Sequence, residues 1–138
     1  MDAIEHAYHE VCAYTLTRGD ATFIHQHVVD AYAAQRATTE SKPIGVAFAL
    51  AGLFLHVEKG LSGRQVQQAH MRMARQKRAW PAFVLPPDRG TVTAVDVMAA
   101  TEGGSRDQAI DEWCVSVWGA FAVNRDGVVE LLREYGLA

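Results

Sequence analysis

The stretch PIGVAFALAGLFLHVEKG, residues 43–60, decides the fold of this chain. From Ile44 to Val57 its apolar residues occupy every side of a helix, interrupted only by two glycines and one histidine. Pro43 suits the first turn of a helix, where its missing N–H costs nothing, and Gly60 suits a helix end. Because a helix that is apolar all round belongs in the interior, the sequence predicts a central helix over about residues 43–59. The run is too short to span a bilayer.

Helical periodicity continues on both sides of this segment. It is interrupted at about residues 80–92, where WPAFVLPPDRGTV carries three of the four prolines and predicts an ordered connector. We therefore expect an all-α protein, a compact bundle of five to six helices around the central helix, with residues 1–138 forming a single helical domain. The other predicted helices cover residues 2–17, 21–37, 62–80 and 93–100, one begins near Ser105, and a terminal helix follows Asn124.

Short polar motifs predict how several of these helices begin. Ser62 with Gln65, and Ser105 with Gln108, have the spacing of a capping box. Asn124 is expected to cap the terminal helix with its side chain.

The composition excludes several classes of protein. The 13 Lys and Arg residues against 16 Asp and Glu residues give a net charge of −3, which disfavours a globally basic nucleic-acid binder. Cys12 and Cys114 are the two cysteines, too few and too far apart for a disulfide framework or a CxxC motif. Acids and histidines interrupt the first twenty residues, unlike a secretory signal. We expect a cytoplasmic protein with no membrane association.

The predicted second helix, IHQHVVDAYAAQ, carries the strongest candidate for a binding site. His25, Tyr32 and Gln35 fall on one arc of this helix, beside apolar residues. They could form a polar pocket in which His25 acts as acid, base or ligand and the other two orient what binds. A buried hydrogen-bond network that fixes the docking of the helix explains the same pattern. On the opposite side, Asp30 follows His27 at i, i+3, where a carboxylate could fix the tautomer of the imidazole.

A metal site is a weaker hypothesis. The sequence has no HExxH motif and no close pair of histidine ligands, so we expect no bound metal. The alternative is a site made by His25, His56 and His70, which lie on three different predicted helices. Histidines scattered on the surface are the simpler interpretation.

The predicted fourth helix has a basic face. Residues 61–80 contain five cations and no acid. On a helix extending to residue 80, four arginines would form one stripe that could contact nucleic-acid phosphates, a nucleotide or an acidic protein. A solvated outer face, paired with acids of neighbouring helices, is the alternative. The stripe consists of Arg64, Arg72, Arg75 and Arg78.

The helix containing IDEWCVSVWGAF offers aromatic side chains and two nucleophiles. Trp113 and Trp118 could line a pocket with Cys114 and Ser116, but no histidine or acid is placed in the sequence to activate either nucleophile. Core packing of the aromatic rings, with an inert thiol, is the better explanation.

Three segments resemble a family of small bacterial proteins catalogued as a domain of unknown function, number 5946. These segments are IHQHVVDAYAAQ, RGTVTAVDVMAA and WCVSVWGAF, and the resemblance covers about residues 22–123. Family members often begin with a CxxCG segment and place a histidine after the glutamine, whereas this chain has neither. The resemblance implies no activity. It singles out His25, Asp30, Tyr32, Gln35, Arg89, Gly90, Thr93, Trp113 and Trp118.

These observations lead to one expected function and two alternatives. We expect a non-catalytic domain, paired as a homodimer, that binds a small molecule or a protein partner in a cleft; its cofactors are unknown. The first alternative is a hydrolase-like enzyme that uses His25 or a histidine-bound metal. The second is nucleic-acid or phosphate binding through the arginine face. The expected ligand-binding residues are His25, Asp30, Tyr32, Gln35, Arg89 and Trp113.

Overall fold

The computed structural model describes residues 1–138 and contains seven α-helices, one 3₁₀ turn and no β-strand, so the predicted all-α class is confirmed. The buried apolar residues of all seven helices form one continuous core. No helix has both the length and the apolar character needed to cross a membrane. The helices are α1 (Ala3–Arg18), α2 (His25–Gln35), α3 (Pro43–Val57), α4 (Gly63–Ala74), α5 (Ala94–Ala99), α6 (Gly104–Ala120) and α7 (Arg125–Arg133), and the 3₁₀ turn is Ala122–Asn124.

Helix α3 is the central helix, as its apolar run predicts. Every residue from Val46 to Leu55 is buried except Phe48. Helices α2, α4, α6 and α7 pack against α3, while α1 packs on α2 and α5, and α5 on α6. The chain thus surrounds its most hydrophobic segment with amphipathic helices, which keeps that segment out of water.

Helix α2 begins at His25, four residues later than predicted, because the preceding turn packs tightly against α4. Phe23 has a left-handed backbone with φ of 55°. Its carbonyl lies so close to Gly63 that a Cβ atom there would come within 1.8 Å of the Phe23 oxygen. The Arg64 amide donates to the Thr22 carbonyl at 2.8 Å. A helix starting at residue 21 would lose this corner.

Helix α4 ends at Ala74, six residues before the predicted end at Trp80. The residues that follow are good helix formers, so local preference does not end the helix; tertiary packing does. The Trp80 ring packs edge-on against Phe48, with centroids 5.2 Å apart, and parallel to Tyr135. The chain leaves the helix after Ala74 through a turn and continues without regular secondary structure, which allows Trp80 to reach both rings.

Of the two predicted capping boxes, one is confirmed and one is wrong. Ser62 caps α4 and Gln65 completes the box, as predicted. The box predicted at Ser105 is wrong, because α6 begins one residue earlier, at Gly104, with Gly103 as its N-cap. The φ of Gly103 is 103°, and its amide donates to the Tyr14 hydroxyl of α1 at 3.1 Å. Glycine alone adopts this backbone readily, and the tyrosine replaces the serine as partner.

Asn124 precedes α7 but its side chain does not cap that helix, in contrast to the prediction. The side-chain N–H of Asn124 instead donates to the Val84 carbonyl, and its side-chain Oδ1 accepts from the Val84 backbone amide, both at 2.8 Å. Because Asn124 is buried, the backbone of the proline-rich connector supplies the partners that water cannot. This pair of bonds makes the connector ordered.

Candidate functional site

Three of the expected site residues, Gln35, Arg89 and Trp113, meet in one hydrogen-bonded network. The indole N–H of buried Trp113 donates to Oε1 of Gln35 at 2.9 Å. The Gln35 side-chain amide donates to the carbonyls of Val92, at 2.7 Å, and Arg89, at 3.2 Å. Both amide hydrogens and the indole hydrogen are therefore bonded within the chain. This network joins α2, α6 and the connector.

The Arg89 guanidinium caps the C-terminal end of α2. Its Nη1 donates to the carbonyls of Ala34, Gln35 and Ala37 at 2.9 to 3.2 Å, and its Nε donates to Pro86. The last carbonyls of a helix have no partner within the helix and carry partial negative charge, which a cation stabilises. Arg89 is thus committed to the fold.

His25 and Tyr32 lie apart from this network, on the side of α2 that faces α1. Nδ1 of His25 is 2.9 Å from the Thr15 hydroxyl, and burial lowers the pKa of its imidazole. Two helical turns further on, the Tyr32 ring stacks on Tyr8 with centroids 3.7 Å apart. The structure therefore brings Gln35, and neither His25 nor Tyr32, to Arg89 and Trp113.

Asp30 is a buried carboxyl group with an unused oxygen. Oδ1 accepts from the Gln26 amide at 3.1 Å, while Oδ2 has no partner. Oδ2 faces Gly52 of α3 so closely that a Cβ atom there would come within 1.9 Å of it. Burial raises the pKa of Asp30 well above its usual value, because the low-dielectric interior disfavours the charged form.

The predicted pairing of His27 with Asp30 is not formed, because Asp30 bonds to Gln26. The His27 ring stacks instead on His56 of α3, with centroids 3.5 Å apart and planes inclined by 19°. His56 Nε2 is 2.8 Å from Oδ1 of Asp111, and its Nδ1 is 2.9 Å from the Leu61 carbonyl. No local sequence pattern indicates this cluster, since its members lie on α2, α3 and α6.

The two stacked imidazoles differ in charge. Burial opposes the charged form of His56, but its bonds to Asp111 and the Leu61 carbonyl outweigh burial and raise its pKa. Burial and the neighbouring His56 lower the pKa of His27 to about 3. The His56 hydrogen bond lowers the pKa of Asp111. The cluster is thus a neutral ring stacked on an imidazolium that is paired with a carboxylate.

The alternative metal site at His25, His56 and His70 is not formed. The Nε2 atom of His70 is 2.7 Å from the Phe48 carbonyl, while His25 and His56 have the partners described above. No group of three histidine, cysteine, aspartate or glutamate side chains is arranged to hold a metal ion.

The predicted arginine stripe is broken, because α4 ends before two of its members. Arg64 and Arg72 lie on the helix, Arg75 follows its last residue, and Arg78 lies in the segment without regular secondary structure. Nη1 of Arg78 donates to Glu134 of α7, and Nε of Arg64 donates to the Ala21 carbonyl at 2.9 Å. Of the four arginines of the predicted stripe, Arg72 and Arg75 are the two that are exposed and have no polar partner.

The nucleophiles of α6 have structural partners. The Cys114 thiol is buried at 3.6 Å from the His27 carbonyl, and burial raises its pKa well above the usual value. The Ser116 hydroxyl accepts from the amides of Thr91 and Val92 at 2.9 and 3.3 Å. Trp118 donates to Glu58 at 2.7 Å.

A surface pocket of about 290 Å³, the Tyr32 pocket, lies between the end of α2 and the start of α3. Arg36 uses its Nη2 for an ion pair with Asp2, and its guanidinium also interacts with the Tyr32 phenol. Lys42 makes no ion pair, and the Ile44 amide at the same helix start is unbonded. Burial raises the pKa of Tyr32, so its phenol stays a proton donor. The pocket is lined by Tyr32, Ala33, Arg36, Ser41, Lys42, Gly45 and Val46.

A second pocket of about 450 Å³, the Phe83 pocket, lies on the other side of the same helix start. It shares Ser41 and Val46 with the Tyr32 pocket, so the two adjoin. None of its lining residues is charged. They are Thr38, Thr39, Ser41, Pro43, Val46, Ala82, Phe83 and Leu85.

Comparison with known proteins assigns the chain to a family. Residues 5–122 match the model of a family of unknown function, DUF5946, and the chain therefore belongs to that family. No curated protein and no solved structure gave a significant match.

Proposed function

We propose that this member of a family of unknown function is a non-catalytic domain that binds a small organic anion in the Tyr32 pocket. The observation that carries the proposal is that two cations, Lys42 and Arg36, line one pocket together with the Tyr32 phenol. Lysine and arginine donate strong, charge-assisted hydrogen bonds to carboxylate and phosphate groups. Of the expected ligand-binding residues, the proposal retains Tyr32.

The start of α3 supports an anion at this place. The N-cap residue, Lys42, makes no side-chain cap bond, and no acid lies in the first turn. The partial positive charge of the helix start is therefore not neutralised from within the helix, and it favours a bound anion. Asp2, which pairs with Arg36, is the one carboxylate that competes for these cations.

A binding role fits the pocket better than a catalytic one. No histidine or carboxylate lines it, so neither Ser41 nor Tyr32 has a base to take its proton. The Ser41 hydroxyl accepts from the Thr38 amide at 2.9 Å, which holds the loop between α2 and α3.

The test is a titration with acetate and inorganic phosphate at constant ionic strength, followed by the amide NMR signals of Lys42 and of residues 44–46, since Pro43 has no amide proton. We expect shifts at these residues, and about tenfold weaker binding in Lys42→Glu. Glu at this position favours the helix dipole, so the variant should keep or gain stability while it loses the anion. Lys77→Glu, with the same charge change in the segment after α4, is the matched control. Absent shifts, or equal binding by Lys42→Glu and the control, would contradict the proposal.

A second variant blocks the pocket without changing its charge. A Cβ atom at Gly45 would meet no atom within 4 Å, so a side chain there has room to enter the pocket. We expect Gly45→Leu to fold normally and to abolish the shifts. Retained binding in this variant would place the anion elsewhere.

We also propose that the protein works as a homodimer in the cytoplasm. Small domains commonly pair through one self-complementary face, and a reducing compartment keeps Cys12 and Cys114 as free thiols. Sedimentation equilibrium tests the dimer: a mass equal to one chain at micromolar concentration would contradict it.

A further inference from the structure

The two pockets at the start of α3 adjoin each other and differ in chemistry. The Tyr32 pocket contains both cations, Arg36 and Lys42, whereas no charged side chain lines the Phe83 pocket. Ser41 and Val46 line both pockets and form the boundary between them. A ligand that crosses this boundary therefore passes from a cationic wall to an uncharged one, whose apolar side chains include Val46, Phe83 and Leu85.

The sizes of the pockets support their use together. Ligand sites typically have volumes of roughly 300 to 1,000 Å³. The Tyr32 pocket, at about 290 Å³, is at the lower end of this range. The adjoining Phe83 pocket, at about 450 Å³, provides the space for the rest of a molecule.

The apolar half is formed in advance. Its outer wall is Ala82, Phe83 and Leu85, in the segment between α4 and α5. This segment has no regular secondary structure, but Asn124 bonds both the amide and the carbonyl of Val84. The wall is therefore ordered before a ligand binds, so the binding of an apolar tail costs little conformational entropy of the protein.

We infer that the ligand is an amphipathic organic anion, with a carboxylate or phosphate head at Lys42 and Arg36 and an apolar tail in the Phe83 pocket. This inference rests on the proposed function and adds the class of the ligand. The head group is recognised by charge, and the tail is recognised because each methylene removed from water contributes to binding. Short anions such as acetate fill only half of the site.

The test compares four probes on the full chain by calorimetry: octanoate, octyl phosphate, acetate and octan-1-ol. We expect octanoate or octyl phosphate to bind at least about tenfold more tightly than acetate, because several methylene groups leave water. Octan-1-ol, which has the tail without the charge, should bind at least about tenfold more weakly than octanoate. The stronger of the two charged octyl probes identifies the head group as carboxylate or phosphate.

Two variants separate the halves. Ala82→Glu places a charge in the apolar wall and should reduce octanoate binding to the acetate level while acetate binding is unchanged. Val84→Glu is the matched control, because the Val84 side chain is exposed in the same segment and does not line the pocket. Equal affinities of octanoate and acetate, or an Ala82→Glu variant that binds octanoate normally, would overturn the tail and leave the proposed anion site intact. If none of the anions binds, both proposals are wrong.

Discussion

The imidazole ring of His27 lies nearly parallel to that of His56, with 3.5 Å between the ring centroids. The stack is asymmetric, since His56 has an acceptor at each ring nitrogen and His27 has no hydrogen-bonding partner for its ring. Protonating both rings would place two cations face to face in the interior. The stack therefore admits one added proton, and that proton belongs to His56.

Acid should destabilise the protein through His27. The pKa of this residue is about 3 in the folded state and about 6.5 in the unfolded state, so the unfolded chain binds the proton first as pH falls below 6.5. We expect the free energy of unfolding to fall by roughly 1 to 2 kcal/mol between pH 6.5 and 5 from this residue. The loss should shrink in His27→Phe, which keeps a stacked ring, and persist in His9→Gln at the surface. Urea denaturation at each pH measures it, and an unchanged acid loss in His27→Phe would contradict the assignment.

Alkaline conditions should act through His56 in the opposite sense. Its pKa is raised in the folded state, so its stabilising contribution is complete below pH 6.5 and is lost as pH rises through the folded value. Asp111→Asn removes the carboxylate that holds the proton. We expect the decline in stability from pH 6.5 to 8 to be smaller in this variant than in the parent protein, and Glu112→Gln, next in sequence, to leave it unchanged. The imidazole proton signals of His56 followed by NMR provide the second measurement.

Gly52 and Gly45 should respond in opposite directions to the same change. Gly52→Ala places a methyl group on the Asp30 carboxyl, whereas the same methyl at Gly45 meets open space. We expect Gly52→Ala to cost about 3 kcal/mol or more, and Gly45→Ala to be neutral or to add up to about 1 kcal/mol through helix propensity. Thermal unfolding of the two variants decides the matter. Asp30→Gly in the Gly52→Ala background should recover part of the loss, and its failure to do so would locate the strain elsewhere.

The raised pKa of Asp30 predicts that an amide can replace this carboxyl group. Its pKa is raised on folding, so the folded chain holds a proton that the unfolded chain releases above pH 3.8, and stability declines with rising pH from that point. Asn has the same shape and never ionises. We expect Asp30→Asn to be more stable than the parent protein at pH 7 and equal to it near pH 3, by denaturation at both values. A variant less stable than the parent at pH 7 would mean that the ionised carboxyl is required.

Gln35 should be the costliest single polar residue to remove. Gln35→Leu removes the hydrogen-bonding partner of the Trp113 indole N–H and of two connector carbonyls. Each of these groups would then be unpaired in the interior. We expect a loss of about 2 to 4 kcal/mol, against a near-neutral effect of Gln108→Leu on the surface of α6. Adding Trp113→Phe to Gln35→Leu should cost less than the two single losses combined. Additive losses would show that the two groups act independently.

The sequence predicts what depends on local patterns. The central helix is predictable because an uninterrupted apolar run has no stable place at the surface, and the Ser62 capping box is predictable because its partners are three residues apart. The early end of α4 is not predictable, because the residues after Ala74 favour a helix and only the distant rings of Phe48 and Tyr135 pull Trp80 away. Tertiary packing of a large aromatic side chain therefore overrides the local preference for a helix.

The site follows the same division. The burial of Gln35 follows from its place on the inner arc of α2, but its partners lie 54 to 78 residues further along the chain. The stack of His27 on His56 likewise joins two helices whose relative rotation no single-sequence pattern fixes. Tyr32 is predicted to share a pocket with Gln35, but its ring packs against Tyr8 of α1, because three residues separate the Tyr32 and Gln35 side chains by about 60° around the axis of α2.

The bond pair between Asn124 and Val84 has a consequence for how the chain would be digested. A long segment without helix or strand is normally where trypsin cuts first, since cleavage requires the backbone to open locally. Here Arg75, Lys77 and Arg78 precede the residue that is bonded to Asn124, Val84, in the chain. Arg89 follows it, and its guanidinium is bonded to the end of α2. Brief digestion should therefore nick the stretch from Arg75 to Arg78 and spare the bond after Arg89, leaving two fragments that stay associated.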